Sequence, residues 1–193
     1  MNPQSANFFV LTGGPGSGKT TVSNHLADLG YRCMPEAGRA VIRQQLGCGG
    51  VALPWNDKTA YARLMYERDM AAYHRASNMN GPVFFDRSIV DVIAYLQLEQ
   101  LPIPEPLQTA ASRYRYHKTA FIFPPWPQIY RSDQERRQDQ PTAIATYHAM
   151  VKTYSQCGYA LVRVPRLPVA QRAAFILNAI ACGHGSKKDS GPG

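Results

Sequence analysis

A chain of 193 residues is long enough to close one substantial core and too short for two comfortable ones, so one domain is expected, over residues 1–182. The formal net charge of +8, from 21 Lys and Arg against 13 Asp and Glu, calls for an anionic partner: nucleic acid, a membrane surface or a phosphorylated ligand. The arginines fall in short clusters (Arg39 and Arg43; Arg113 and Arg115; Arg131, Arg136 and Arg137; Arg163 and Arg166) with no Lys-rich run in the body, which favours gripping phosphates over coating a nucleic acid.

In chain order, β-rich runs at residues 7–12, 31–34, 83–85, 119–123 and 159–164 read as strands. Between and after them, helical patterns cover residues 18–29, 36–46, 57–77, 89–98, 105–114, 142–157 and 169–181. Strands that alternate with helices imply an α/β fold with a parallel sheet covered on both faces, and the unbroken apolar runs Phe8 to Leu11 and Val83 to Phe85 suit strands buried on both sides. Residues 183–193, rich in Gly, Ser and Lys, read as a disordered tail. The apolar run at residues 8–11 is too short for a signal peptide or a membrane span, so no membrane partner and a cytoplasmic location are expected. The four cysteines form no CxxC pair, and neither they nor the five histidines show metal-site spacing; the thiols read as reduced and structural.

The first chemical motif is Gly13-Gly14-Pro15-Gly16-Ser17-Gly18-Lys19-Thr20, with Thr21 following it, between a strand and a helix. It fits G-x-x-x-x-G-K-[ST], in which glycines let backbone N–H groups surround a β-phosphate at a helix N-terminus. Lys19 then reaches the β- and γ-phosphates and Thr20 ligates magnesium, so ATP and Mg2+ are the expected cofactors. The second strand leads into Glu36 and Arg39, and parallel strands deliver their C-terminal ends to one edge, so Glu36 should open into the same crevice as the glycine-rich loop. The alternative is a residue that merely complements the helix dipole, with Arg39 on the surface.

Residues 47–55 form a Gly-rich connection that could border an acceptor pocket, with Trp55 available for stacking or for burial in the core; Tyr61, Tyr66 and Tyr73 have the spacing of core packing. Asp86 ends an apolar strand, where an acid can hold magnesium through water in the Walker B manner, accept a substrate proton, or simply cap the next helix, a role Ser88 fits as well. Arg131, Arg136 and Arg137 follow a Pro-rich turn and read either as a lid closing over a triphosphate or as solvated surface.

Taken together, GGPGSGKT, PEAGR with Val41 and Ile42, LPW with Asp57, PVFFDRS with Asp91, and PPW-x-x-IYR-x-D-x-ERRQ resemble a bacterial family of small AAA-type ATP-binding proteins over residues 7 to about 181. That family is similar to the P-loop kinases of nucleosides and nucleotides, including nicotinamide riboside kinase domains. The resemblance implies a three-layer P-loop NTPase fold whose five-stranded parallel sheet runs in the order 2-3-1-4-5. It implies an acid after the second strand acting as base toward a substrate hydroxyl, matched by Glu36, and an acid-Arg-Ser triplet ending the third strand, matched by Asp86-Arg87-Ser88. Lid arginines that stabilise the transferring phosphoryl group are matched by Arg131, Arg136 or Arg137. Too little chain follows the fifth strand for the helical lid domain of a hexameric motor, and no sugar- or base-reading signature identifies the acceptor.

The expected mechanism is transfer of the γ-phosphoryl group of ATP to a small, nucleoside-like hydroxyl acceptor. Glu36 or Asp86 takes the proton, the acceptor sits among Glu36, Arg39, Arg87 and Trp55, and the adenine lies near Pro165 and Arg166. A nucleotide-dependent switch or slow NTPase acting through a protein partner is the alternative, and nucleic-acid binding ranks below both.

Overall fold

The computed structural model describes residues 6–129 and 140–185. Its core is a five-stranded, all-parallel sheet in the order β2-β3-β1-β4-β5, as the family resemblance implied. The strands are β1 (Phe8–Gly13), β2 (Arg32–Met34), β3 (Val83–Asp86), β4 (Thr119–Phe123) and β5 (Ala160–Arg163). The helices are α1 (Lys19–Asp28), α2 (Ala37–Cys48), α3 (Lys58–Ala76), α4 (Ile89–Leu98), α5 (Glu105–Arg113), α6 (Gln140–Gln156) and α7 (Val169–Gly185).

Period-two alternation sorts the central strands between two apolar layers. Phe8 and Val10 of β1, Val83 and Phe85 of β3, and Ala120 and Ile122 of β4 pack with Tyr73 of α3 and Met150 and Tyr154 of α6. Phe9, Leu11, Phe84, Phe121 and Phe123 point the other way, onto Val22 and Leu26 of α1 and Ala173 and Ile176 of α7. Every residue of β1 and β3 is therefore buried, which is why both read as unbroken apolar runs. At the sheet edge, β5 is partly exposed and shorter than expected. A third apolar cluster joins α2, α3, α4 and α5 through Val41, Tyr61, Met65, Val92 and Leu107, building a helical wall beside the sheet.

Element ends differ from expectation by a few residues. Asp86 belongs to β3, α6 begins at Gln140, and α7 continues to Gly185, past the expected helix end at 181 and into the segment read as a tail. A short 3-10 turn occupies Pro127–Ile129. No helix among the described residues is long and apolar enough to cross a membrane.

Register fixes the working edge of the sheet. Leu11 pairs with Asp86 and Gly13 with Phe123, so the C-terminal ends of β1, β3 and β4 emerge side by side, and the loops that follow them meet there.

Candidate active site

Two successive positions where β1 runs into the following loop cannot carry a side chain. A Cβ on Gly13, whose φ is 131°, would lie 2.4 Å from the Phe123 carbonyl oxygen, and one on Gly14 would lie 2.3 Å from that of Ala143. Gly18, at φ 82°, takes the N-cap position of α1 without any side-chain cap, so no side chain caps the N–H groups of the first turn. Such a turn is suited to an anion.

Lys19 is buried and folds back on this loop, donating to the carbonyls of Gly13 (3.0 Å) and Gly14 (2.8 Å) and to Ser17 Oγ (3.3 Å). Burial first, and Arg87 next, push its ammonium down to about 7, while Asp86, Glu36 and Asp91 pull the other way. Thr20 Oγ1 donates to Asp86 Oδ2 at 2.8 Å. Thr21, on the first turn of α1, is exposed.

Asp86 does not cap α4. That role belongs to Ser88, whose Oγ accepts from Val90 N, with Asp91 closing a capping box. Asp86 instead keeps Oδ1 buried and without a hydrogen-bond partner among the described residues. Burial, followed by the nearby Glu36, pushes its carboxyl up to about 6. An orphaned carboxylate oxygen beside a threonine hydroxyl fits a hard cation such as Mg2+. Among the described residues no group of three or more His, Cys, Asp or Glu is placed to hold a metal, so a cation here would complete its shell with phosphate and water oxygens.

Arg87 takes a left-handed backbone, φ 77°, which a non-glycine residue adopts only when its surroundings enforce it. Its Nε donates to Glu36 Oε1 at 2.9 Å and its Nη1 to Asp91 Oδ1 at 3.2 Å. Arg39 Nε lies 3.3 Å from Glu36 Oε2, so neither Glu36 nor Arg39 is simply a surface group at the start of α2. Burial alone would raise the Glu36 carboxyl, but Arg87, Lys19 and Arg39 outweigh it and bring it down to about 2.

Asp91 is a hub that the motif reading left without a role. It accepts from Thr12 Oγ1 (2.7 Å), Ser88 N (3.0 Å) and the Tyr154 hydroxyl (2.5 Å) as well as from Arg87. The spacing Ser88-x-x-Asp91 is a capping-box pattern and was the signal available for it.

A cavity of about 410 Å3 opens beside the glycine-rich loop, and Pro15, Glu36, Arg39, Trp55, Tyr61 and Arg87 are among its lining residues. The expected acceptor group of Glu36, Arg39, Trp55 and Arg87 therefore meets in one place, with Trp55 38% exposed at its wall. Tyr61, read as core, also faces this space.

Arg166 lies apart from the cavity and is exposed; its Nη2 donates to the Pro125 carbonyl at 2.5 Å and ties the loop after β5 to the loop after β4. Arg131, Arg136 and Arg137 lie outside the described residues. Arg172 went unread. It is buried on α7, within 3.4 Å of the carbonyls of Ser17 and Gly18, with its guanidinium 5.2 Å from the centre of the Trp126 ring. Nothing local marks it, because the partners that bury it are distant in the chain.

Residues 8–172 match the model of a family described as AAA domain. No curated protein sequence matches the chain. Among solved structures the chain is similar to deoxyadenosine kinase from M. mycoides, at 13% identity and a TM-score of 0.61, covering 91% of this chain and 99% of that one. It is similar to thymidylate kinase from Candida albicans at 13% identity and a TM-score of 0.65, covering 93% and 92% of the two chains. A third likeness, at 17% identity and a TM-score of 0.67, is to NadR protein in complex with NR; it covers 96% of this chain and 52% of that one.

Proposed function

The chain belongs to the AAA domain family, and we propose that it is a phosphotransferase that uses ATP with Mg2+ to phosphorylate a small, nucleoside-like hydroxyl acceptor. The observation that carries this reading is a cavity lined by the Glu36–Arg87 pair and by Pro15 of a glycine-rich loop, whose next turn holds Thr20 against Asp86. A kinase-like fold with the same strand order supports it.

In this reading the N–H groups of residues 16–20 cradle the β-phosphate, and Lys19 leaves the carbonyls of Gly13 and Gly14 to reach the β- and γ-phosphates. Thr20 and Asp86 would hold Mg2+, which when bound would neutralise charge on the phosphate oxygens. The acceptor lies among Glu36, Arg39, Trp55 and Arg87. Its hydroxyl oxygen forms a bond to the γ-phosphorus in line with the departing β–γ bridging oxygen; ADP leaves, and the hydroxyl proton passes to a carboxylate.

Glu36 is the stronger candidate for that carboxylate, because it lines the acceptor cavity, whereas Asp86 lies outside that lining and is assigned to the metal. Glu36 is ionised and a weak base, which suffices where the transition state is loose and the proton is lost late. Arg131, Arg136 and Arg137 are assigned to a lid that neutralises the transferring group, and Pro165 and Arg166 to the neighbourhood of the adenine.

The test is ATP consumption by the purified protein with magnesium, alone and with a panel of nucleosides, nucleotides and pyridine ribosides, the products resolved by mass. A phosphorylated acceptor is expected. Steady hydrolysis that no acceptor changes would replace this reading with a nucleotide-dependent switch acting through a protein partner.

A further inference from the structure

Four carboxyl groups line the acceptor cavity: Glu36, Asp69, Asp91 and Glu99. Three are engaged. Glu36 pairs with Arg87 and Arg39, Asp91 accepts from Thr12, Tyr154, Ser88 and Arg87, and Glu99 pairs with Lys58 at 2.5 Å. Asp69 is 6% exposed, yet among the described residues it accepts no hydrogen bond and forms no ion pair. Its oxygens are not sealed from solvent and so face the cavity, and a carboxyl held this deep without a protein partner is costly to the fold. A residue kept at that cost on the wall of a cavity is placed for something that enters the cavity.

Its surroundings describe the visitor. Tyr61, Met65 and Asp69 follow one another at four-residue spacing on α3 and so form one stripe along the cavity wall. Tyr95, whose ring meets that of Tyr61 edge to face at 5.5 Å, together with Trp55, Ile42 and Val92, adds aromatic and apolar surface. A flat, largely apolar ring suits such walls. The charges acting on Asp69 are the carboxylates of Asp91, Glu36 and Asp86, opposed by the guanidinium of Arg87, so three acids against one cation disfavour an anionic ligand group at this point and favour an N–H donor. Burial first, and Asp91 next, hold the Asp69 carboxyl well above the usual carboxylate range, but whether protonated or ionised it presents an oxygen that accepts.

We propose that Asp69 is a specificity-determining residue of this cavity, accepting a hydrogen bond from an amino group on the ring system of the acceptor. This rests on the phosphotransfer reading above and narrows its substrate class to hydroxyl-bearing molecules with an amino-substituted heterocycle.

The test compares two pairs of probes that differ only by an amino group replaced by hydrogen: cytidine with 2-pyrimidinone riboside, and adenosine with purine riboside. Phosphorylation with magnesium-ATP is followed by product mass. In the wild-type protein kcat/KM is expected to favour at least one amino-bearing member by about tenfold. Asp69→Leu should bring that ratio to about one, while Asp69→Asn, which retains a carbonyl acceptor, should keep it. A structural role would not produce this pattern. As a control on folding, the thermal midpoint of Asp69→Leu should equal or exceed that of the wild type, because an unpartnered buried carboxyl has been removed.

A ratio unchanged by Asp69→Leu, transfer to all four probes without preference, or a midpoint lowered by more than about 5 °C overturns the role of Asp69 and leaves the phosphotransfer reading standing. Transfer to none of the four while another acceptor of the wider panel is phosphorylated overturns the role of Asp69 alone; ATP hydrolysis unchanged by every acceptor of that panel removes the phosphotransfer reading and the role of Asp69 with it.

Discussion

Thr20 and Asp86 stand 66 positions apart in the chain and meet through a 2.8 Å hydrogen bond from the threonine Oγ1 to the carboxylate Oδ2. One residue lies in the first turn of the helix after the glycine-rich loop, and the other ends the strand beside it. Their contact is a direct product of the parallel pairing of β1 with β3. It leaves Asp86 Oδ1 as the buried oxygen still in need of a partner.

Asp86→Asn keeps an acceptor for Thr20 and loses the charge. Nucleotide binding in the presence of magnesium is expected to weaken by about tenfold or more, with little change when magnesium is chelated. Paired calorimetric titrations with and without the metal measure this; an equal loss in both would take Asp86 out of the metal site.

Lys19→Ala and Arg136→Ala should separate binding from chemistry. The lysine variant is expected to lose nucleotide binding or turnover outright, since its ammonium is buried against the carbonyls of Gly13 and Gly14 within the glycine-rich loop. The arginine variant is expected to bind nucleotide normally and turn over slowly, measured as a fall in kcat with unchanged affinity. Full activity in Arg136→Ala would move the lid role to Arg131 or Arg137.

Glu36→Gln should lower stability in a pH-dependent way. Because the folded protein holds the Glu36 carboxyl at about 2 against an ordinary 4.5, its ionised form stabilises the fold. That contribution, about 3 kcal/mol, is fully present above pH 4.5 and fades as pH falls through about 2. Urea melts of the two proteins should therefore differ most near neutrality and converge as the solution is acidified. A difference that does not change with pH would mean that Glu36 acts by packing and not by its charge.

Tyr154→Phe removes a fully buried hydroxyl that touches both Asp91 Oδ2 (2.5 Å) and Ser88 Oγ (2.6 Å). The expected loss is about 1–3 kcal/mol of stability, read from chemical denaturation. Since Asp91 also receives Arg87, acceptor turnover should fall while nucleotide affinity is kept. A variant as stable as the wild type would show that Asp91 does not need the tyrosine.

Much of this protein is legible in the order of its residues. The glycine-rich loop, the buried runs of β1 and β3 and the alternation of strands with helices are local patterns, set by backbone freedom at glycine and by the two-residue and 3.6-residue periods of side-chain burial. Those patterns placed Lys19, Thr20, Glu36, Asp86 and Arg87 at the ends of the right elements. The spacing of Ser88 and Asp91 was legible too, as a helix cap.

Local pattern could not say which partner each group takes. Whether Asp86 caps a helix or faces Thr20, whether Glu36 lies against a helix dipole or against Arg87, which of four cavity carboxyls goes unpaired, and where Arg172 finds Trp126 all depend on strand register and helix packing. A hydrogen bond or ion pair acts only over a few ångströms, and residues this far apart in the chain come that close only once the sheet has assembled.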